Sequence, residues 1–451
     1  MQGRLFRYEN IRLDEHRKSV FFDYTLETDE ESFSMTESLT FPVAIPENDV
    51  TNRLLRALHL ALGISYYKSY IPPKIVHGYS MSEQEAEFWN TVFLNGLGEF
   101  LYKNNLSAER IATFQKQEGT IVIGSTDTIA WKDTVLLGIG GGKDSIVAGE
   151  LFKELDIAVE SFVLATGNNT GQAQAVADVM GVPLHVIQRR LDPQIIELNK
   201  RDDALNGHIP ISLIFALAGS LLAVSKGIRS IVVANEASAS IPQTVHEDRM
   251  VNHQWSKSLD FEMLFQNFIH EHVSQNLDYF SAIRPLTSIA VAKLFANYPQ
   301  YLEVFTSDNA HFKQDKQVSA QQRWSDNSPK SLSSFILLAP FVKADDMLRA
   351  FGKNFLDDAS LEPLLLALLG IEGAPVLDCV GTPDELRLCA SMIAEQEIYS
   401  DTVLIKMLSN RGLLISDTTE MASHALELGE NHALPSRFAF QIMNKCKERL
   451  T

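Results

Sequence analysis

Val135-Leu136-Leu137-Gly138-Ile139-Gly140-Gly141-Gly142-Lys143-Asp144-Ser145 runs an apolar strand into three consecutive glycines and then into the polar start of a helix. Beyond it Ile146, Val147, Leu151, Phe152 and Leu155 recur at helical spacing, so the glycines occupy a strand-to-helix turn. Further short apolar runs, Phe162-Val163-Leu164, Leu184-His185-Val186-Ile187 and Ile231-Val232-Val233, alternate with helix-length segments. Strands covered on both faces read as unbroken apolar runs, and right-handed crossovers between them build a parallel sheet flanked by helices. The expected fold class is α/β, with ligands received beyond the carboxyl ends of the strands. The turn suits a phosphate, which backbone N–H groups at a helix N-terminus can hold. It is not a Walker A loop, because Leu137 stands where the first Gly is required and Asp144 where Ser or Thr must follow the Lys. A dinucleotide fingerprint beginning at Gly138 would need Gly at Lys143.

Working outward, 451 residues exceed one ordinary core, and three regions are expected: an N-terminal α+β domain over 1–120, the loop-bearing domain over 121–341 and a helical C-terminal region over 342–451. In the first, Ser19-Val20-Phe21-Phe22-Asp23-Tyr24-Thr25-Leu26 alternates as an antiparallel strand does, and helices are expected near Arg53–Leu62 and Ser82–Tyr102. Phe88, Trp89 and Phe93 on the second read as core rather than as a sugar or uracil platform. The run Ile209–Val224 falls short of the roughly 20 residues a membrane span needs. It reads as a buried helix opened by Pro210 and stopped at Gly227. Thr382-Pro383-Asp384-Glu385 marks another helix start by its capping box.

A formal net charge of -18 argues against a broad nucleic-acid or membrane-binding face, so an anionic substrate needs a local basic pocket. Three cysteines, Cys379, Cys389 and Cys446, are too few for a disulfide framework, and the start of the chain lacks a signal-peptide core. Both point to the cytoplasm; oligomeric state is not legible.

The loop resembles the Ser-Gly-Gly-x-Asp-Ser signature of the PP-loop ATP pyrophosphatases, with Gly140 in place of the first Ser. That resemblance implies a HUP-like, adenine nucleotide alpha hydrolase domain that splits ATP to AMP and pyrophosphate. Gly140, Gly141 and Gly142 would cradle phosphate, Lys143 neutralise it, Ser145 donate to it and Asp144 help hold Mg²⁺.

Gly96-Leu97-Gly98-Glu99-Phe100, Asn206-Gly207-His208-Ile209-Pro210, Asn235-Glu236-Ala237-Ser238, Val251-Asn252-His253-Gln254-Trp255-Ser256-Lys257-Ser258 and Ile283-Arg284-Pro285-Leu286 together resemble the UDP-N-acetylmuramoyl-L-alanyl-L-glutamate epimerases over roughly residues 80 to 390. The resemblance implies ATP-dependent inversion of the terminal L-Glu of UDP-MurNAc-L-Ala-L-Glu in peptidoglycan precursor synthesis, with Mg²⁺ and without pyridoxal phosphate. The α-proton beside a free carboxylate is very weakly acidic. An acyl-adenylate removes that charge and supplies a carbonyl to receive the carbanion's electrons.

Candidate proton-transfer groups are His208, His246, His253, Lys257 and His311, with His253 and Lys257 in the densest polar motif. Glu236 is a second Mg²⁺ ligand or a capping carboxylate; Arg284 clamps an anion or is an exposed turn residue. Cysteine-pair racemization is disfavoured, since Cys389 falls on the apolar face of the helix begun at Thr382. An amide ligase or RNA-base modifying enzyme of the PP-loop class, and a non-catalytic nucleotide-binding protein, are the alternative readings.

Trp324-Ser325-Asp326-Asn327-Ser328-Pro329-Lys330-Ser331 resembles a stretch that in many relatives reads Trp-Cys-x-x-Cys-Pro-Lys-Cys, with Asp308 where a fourth cysteine is expected. Asp308, Ser325, Ser328 and Ser331 supply no thiolate, so no structural zinc is expected, and hydrogen bonds among them are expected to hold the loop instead.

Overall fold

The computed structural model describes residues 1–118, 129–167, 170–308 and 323–451. Strands β1 (Gly3–Leu13), β2 (Ser19–Thr28) and β3 (Ser32–Thr40) form an antiparallel meander. Helices α1 (Asp49–Tyr67), α2 (Glu83–Gly96) and α3 (Gly98–Lys103) follow, with the short strand β4 (Ile75–Val76) after α1. The single helix expected over Ser82–Tyr102 thus breaks at Gly96-Leu97-Gly98, where two residues of low helix propensity flank the bend and start α3 with Glu99 in its first turn.

The parallel part alternates as the sequence indicates: β5 (Lys132–Gly138), α4 (Lys143–Glu154), β6 (Ala158–Thr166), α5 (Gly171–Met180), β7 (Leu184–Arg190), α6 (Pro193–Leu198), α7 (Ile211–Lys226) and β8 (Ile228–Val233). A hairpin of β9 (Thr244–His246) and β10 (Arg249–Val251), helix α8 (Leu259–His272) and strand β11 (Asp278–Ser281) complete it. The sheet order is β11-β8-β5-β6-β7-β3-β2-β1-β4. Its first five strands are parallel, and counted from β5 they run in the doubly wound order 3-2-1-4-5, reversing direction between β5 and β8. In this order the crevice outside the carboxyl ends of β5 and β8 is the place for a ligand.

β3 pairs antiparallel with β7, Leu39 opposite Arg189, so the front meander and the parallel strands share one sheet. At that junction the Arg189 Nε donates to Glu37 Oε1 at 2.5 Å and Nη2 to Ser65 Oγ at 2.9 Å, with both charged groups buried.

Alternation along β5 sends Val135 and Leu137 to one face and Leu136 to the other. The first face packs on α4, α5 and the C-terminal helices, among them Ser288–Phe295, Pro329–Leu338 and Pro383–Ala394. The second packs on α1, α7 and α8, with Phe88, Trp89 and Phe93 in its core. Apolar all round, α7 lies against the sheet between Pro210 and a left-handed Gly227 cap. Close approach depends on Gly138, whose Cβ would stand 2.4 Å from the Phe215 ring. Thr382 and Glu385 form the expected reciprocal cap. No helix among the described residues is long and apolar enough to cross a membrane.

Candidate active site

Between β5 and α4 the chain turns through Gly141 at φ +99°, a left-handed conformation that a side chain would strain, and the Gly141 carbonyl accepts from Thr306 N at 3.0 Å. Helix α4 starts at Gly142 with no side-chain cap, leaving its first N–H groups to other acceptors. Lys143 is 5% exposed, its Nζ 2.5 Å from Asp144 Oδ1, and Ser145 Oγ donates to Gly142 O at 3.1 Å. Burial lowers the Lys143 pKa, but Asp144 and Glu236 more than compensate and hold it raised, so the ammonium is charged throughout the neutral range.

Glu236 follows β8, directly across the switch point. Its Oε1 accepts from Ser288 Oγ at 2.6 Å and Ser238 Oγ at 2.7 Å, while Oε2 is buried without a partner. Burial pushes its pKa up to about 7, opposed by Lys143 and reinforced by Asp144. Asp144 and Glu236 both act on the Lys143 ammonium, and the unpartnered Glu236 oxygen is a hard ligand atom of the kind that a divalent cation takes.

Lys143, Asp144 and Glu236 line an open cavity together with His253, Lys257, Lys330, Asp378 and Cys379. Three lysines, Lys143, Lys257 and Lys330, and three carboxylates, Asp144, Glu236 and Asp378, face this hollow, so it offers positive charge at defined points rather than a net basic surface.

His253 leaves β10 with its backbone N–H on Gln243 Oε1 at 2.7 Å. Its Nδ1 pairs with Glu99 Oε2, and Nε2 stands 4.0 Å from Asp378 Oδ1. Glu99 is 3% exposed and also takes Lys103 Nζ at 2.5 Å; burial pushes its carboxyl up, but His253 and Lys103 outweigh that and hold it below the usual range. His208 Nδ1 lies 3.9 Å from the same carboxylate, and burial, aided by His253, lowers its pKa to about 4. His208 is thus neutral at pH 7, its ring centroid 4.9 Å from that of His253. Glu99, His208 and His253 approach closely enough to hold a metal ion, but Lys103 already balances the carboxylate's charge.

Lys257, in the short 3₁₀ turn Trp255–Lys257, brings Nζ to 3.8 Å from Cys379 Sγ. His246 lies away from this cavity, with Nε2 2.9 Å from Leu106 O, and His311 falls outside the described residues. Arg284, read as an anion clamp or an exposed turn residue, is neither here: it is 2% exposed, and all its nitrogens are engaged. Nε and Nη2 hold Glu262 Oε2 at 3.0 and 2.8 Å, and Nη1 and Nη2 donate to the Glu236 and Lys257 carbonyls, each at 2.7 Å. It braces the backbone behind two cavity residues. Cys389 is buried as expected, whereas Cys379 is exposed and opens on the cavity.

Asp308 is 3% exposed, and its Oδ2 accepts from Ser325 N at 2.7 Å and Ser331 Oγ at 3.1 Å. Ser328 N reaches Ser325 O at 3.4 Å, just before the helix that carries Lys330 into the cavity. The hydrogen bonds expected in this loop are therefore present.

Fold and cavity define an α/β protein with a cavity lined by residues that follow β5 and β8, at the switch point of its parallel strands. The chain belongs to the MurL family: residues 1–282 match the MurL N-terminal domain and residues 304–423 the MurL C-terminal domain. It is similar to proteins named UDP-N-acetyl-alpha-D-muramoyl-L-alanyl-L-glutamate epimerase from Micromonospora sp. (31% identical, covering 96% of each chain) and Salinispora tropica (31%, covering 96% of this chain and 94% of the relative). A relative of the same name from Xanthomonas oryzae pv. oryzae is 32% identical over 89% of this chain and 88% of its own.

Proposed function

We propose that this chain converts the terminal L-Glu of UDP-MurNAc-L-Ala-L-Glu to D-Glu, activating its α-carboxylate with ATP as an acyl-adenylate and releasing pyrophosphate and AMP. The substrate follows from the names of its relatives. The observation that carries the chemistry is one cavity lined both by Lys143 and Asp144, which directly follow the glycine loop, and by His253, whose Nδ1 pairs with Glu99. In this reading the loop is a PP-loop: N–H groups of Gly140, Gly141 and Gly142 with Lys143 and Ser145 take the departing pyrophosphate. Asp144 and Glu236 would hold Mg²⁺, which supplies charge neutralisation at the phosphates.

Activation matters because the α-carbanion of a free glutamate would sit beside a carboxylate. As the mixed anhydride, the acyl group is uncharged at that position and its carbonyl receives the electron pair, so side-chain acid–base groups suffice without pyridoxal phosphate. His253, its Nδ1 fixed by Glu99, presents Nε2 to the cavity as a proton-transfer group. Water then attacks the acyl carbon and restores the acid. Such a reaction belongs in the cytoplasm, where nucleotide precursors and ATP are available.

Incubation with UDP-MurNAc-L-Ala-L-Glu and MgATP in heavy water tests this reading. Solvent deuterium at the glutamyl α-carbon, with AMP and pyrophosphate, is expected. Pyrophosphate without deuterium would instead indicate an amide ligase, and neither product a protein that only binds nucleotide.

A further inference from the structure

Inversion at a fixed carbon needs a proton taken from one face and another returned to the opposite face, and a single side chain reaches only one of them. The cavity must therefore hold a second proton-transfer group besides His253. Asp144, Glu236 and Lys143 form the phosphate end. Asp378 is occupied, accepting from Cys379 N at 2.8 Å with Lys330 Nζ at 3.5 Å. Two groups remain, Lys257 and Cys379, side by side; Lys257 is the cation of that pair, so the group left to take a proton is the thiol of Cys379, on the chain segment just before the helix Pro383–Ala394, whereas His253 follows β10. Asp378 lies between the two, bonded to the backbone of one and 4.0 Å from the ring of the other. Each is flanked by the charge that its working form needs: the carboxylate of Glu99 offsets an imidazolium at His253, and the ammonium of Lys257, 3.8 Å from Sγ, offsets a thiolate at Cys379. Cys379 is also the exposed cysteine of the chain, Cys389 and Cys446 being buried.

We propose that Cys379, flanked by Lys257, and His253, positioned by Glu99, are the two catalytic residues that exchange the glutamyl α-proton from opposite faces of the carbon. The proposal rests on the epimerase reading above. In one direction the Cys379 thiolate takes the α-proton and becomes a thiol, the C–H electron pair moving into the acyl carbonyl. As that pair returns to carbon, the His253 imidazolium gives its proton to the other face and becomes imidazole. One proton leaves the carbon and one arrives; both groups reset by exchange with water. The reverse direction exchanges their roles.

The test follows each epimer separately in heavy water with MgATP, in the parent and in C379A, C379S, H253Q and E99Q. Parent protein that neither releases pyrophosphate nor exchanges deuterium would refute the epimerase reading itself. Given an active parent, C379A and C379S are expected to keep pyrophosphate release and exchange deuterium into one epimer alone, with interconversion down about 100-fold or more. H253Q should spare exchange in the other epimer. E99Q should shift the pH profile of the His253-dependent exchange and leave the Cys379-dependent one in place. Interconversion by C379A within about threefold of the parent, loss of the same epimer's exchange in C379A and H253Q, or loss of pyrophosphate release in folded C379A and C379S would overturn the proposal.

Discussion

Replacing Lys143 with Met removes the cation around which the phosphate end is arranged while keeping most of the side chain's volume. Its side chain is 7% exposed, with Nζ 2.5 Å from Asp144, and Asp144, Glu236 and Glu385 all act on it. At about 4 Å and an effective dielectric near 20, a unit charge on the departing pyrophosphate gains about 4 kcal/mol from such an ammonium. Part of that is already felt in the ground state, so the fall in kcat/KM for pyrophosphate release is expected to be about 10²- to 10³-fold. Stability moves less, because the Asp144 side chain is 37% exposed and solvent screens the pair, so a cost of about 1 kcal/mol or less is expected. A continuous pyrophosphate assay and denaturant unfolding with and without MgATP measure both. A K143M protein that releases pyrophosphate within about tenfold of the parent rate and keeps its response to MgATP would refute the assignment of the loop.

Acidification should destabilise the protein between pH 6.5 and 4. Burial lowers the pKa of both His59 and His208 to about 4, so the unfolded chain binds their protons first, and up to about 3 kcal/mol per histidine is lost from pH 6.5 towards pH 4, while Glu236, raised to about 7, takes its proton first in the folded chain and gives back about as much as one histidine loses, leaving a net loss of about 3 kcal/mol; a flat unfolding midpoint over this range would contradict it. G138A places a methyl 2.4 Å from the Phe215 ring, and a loss of about 1–3 kcal/mol in urea unfolding is expected. D308A leaves Ser325 N and Ser331 Oγ without their acceptor and should cost about 1–3 kcal/mol. Elemental analysis of the parent protein should find no stoichiometric zinc.

What was legible followed from local pattern. Val135-Leu136-Leu137 announced a strand covered on both faces, Thr382 and Glu385 announced a cap, and the apolar spacing around Cys389 announced a core position. Contacts between distant segments leave no such signal. The pairing of Leu39 with Arg189 that joins the front meander to the parallel strands has no local signature. Glu99 stood in a recognisable segment, but its partnership with His253 is made by two chain segments meeting over the cavity. Arg284 misled because its buried partner Glu262 is a helix residue of ordinary appearance in the sequence. Apolar spacing marks Cys389 as core, but nothing local to Cys379 places it beside Lys257, a contact made by two distant segments.

The central claim is that the glutamate carboxylate itself attacks ATP. It is tested most directly by supplying the dipeptide precursor with ¹⁸O in its α-carboxylate and analysing the released AMP by mass spectrometry. Transfer of one ¹⁸O into each AMP formed is predicted, since the bridging oxygen leaves with AMP when water attacks the acyl carbon. Unlabelled AMP accompanying formation of the D-Glu epimer would contradict the account.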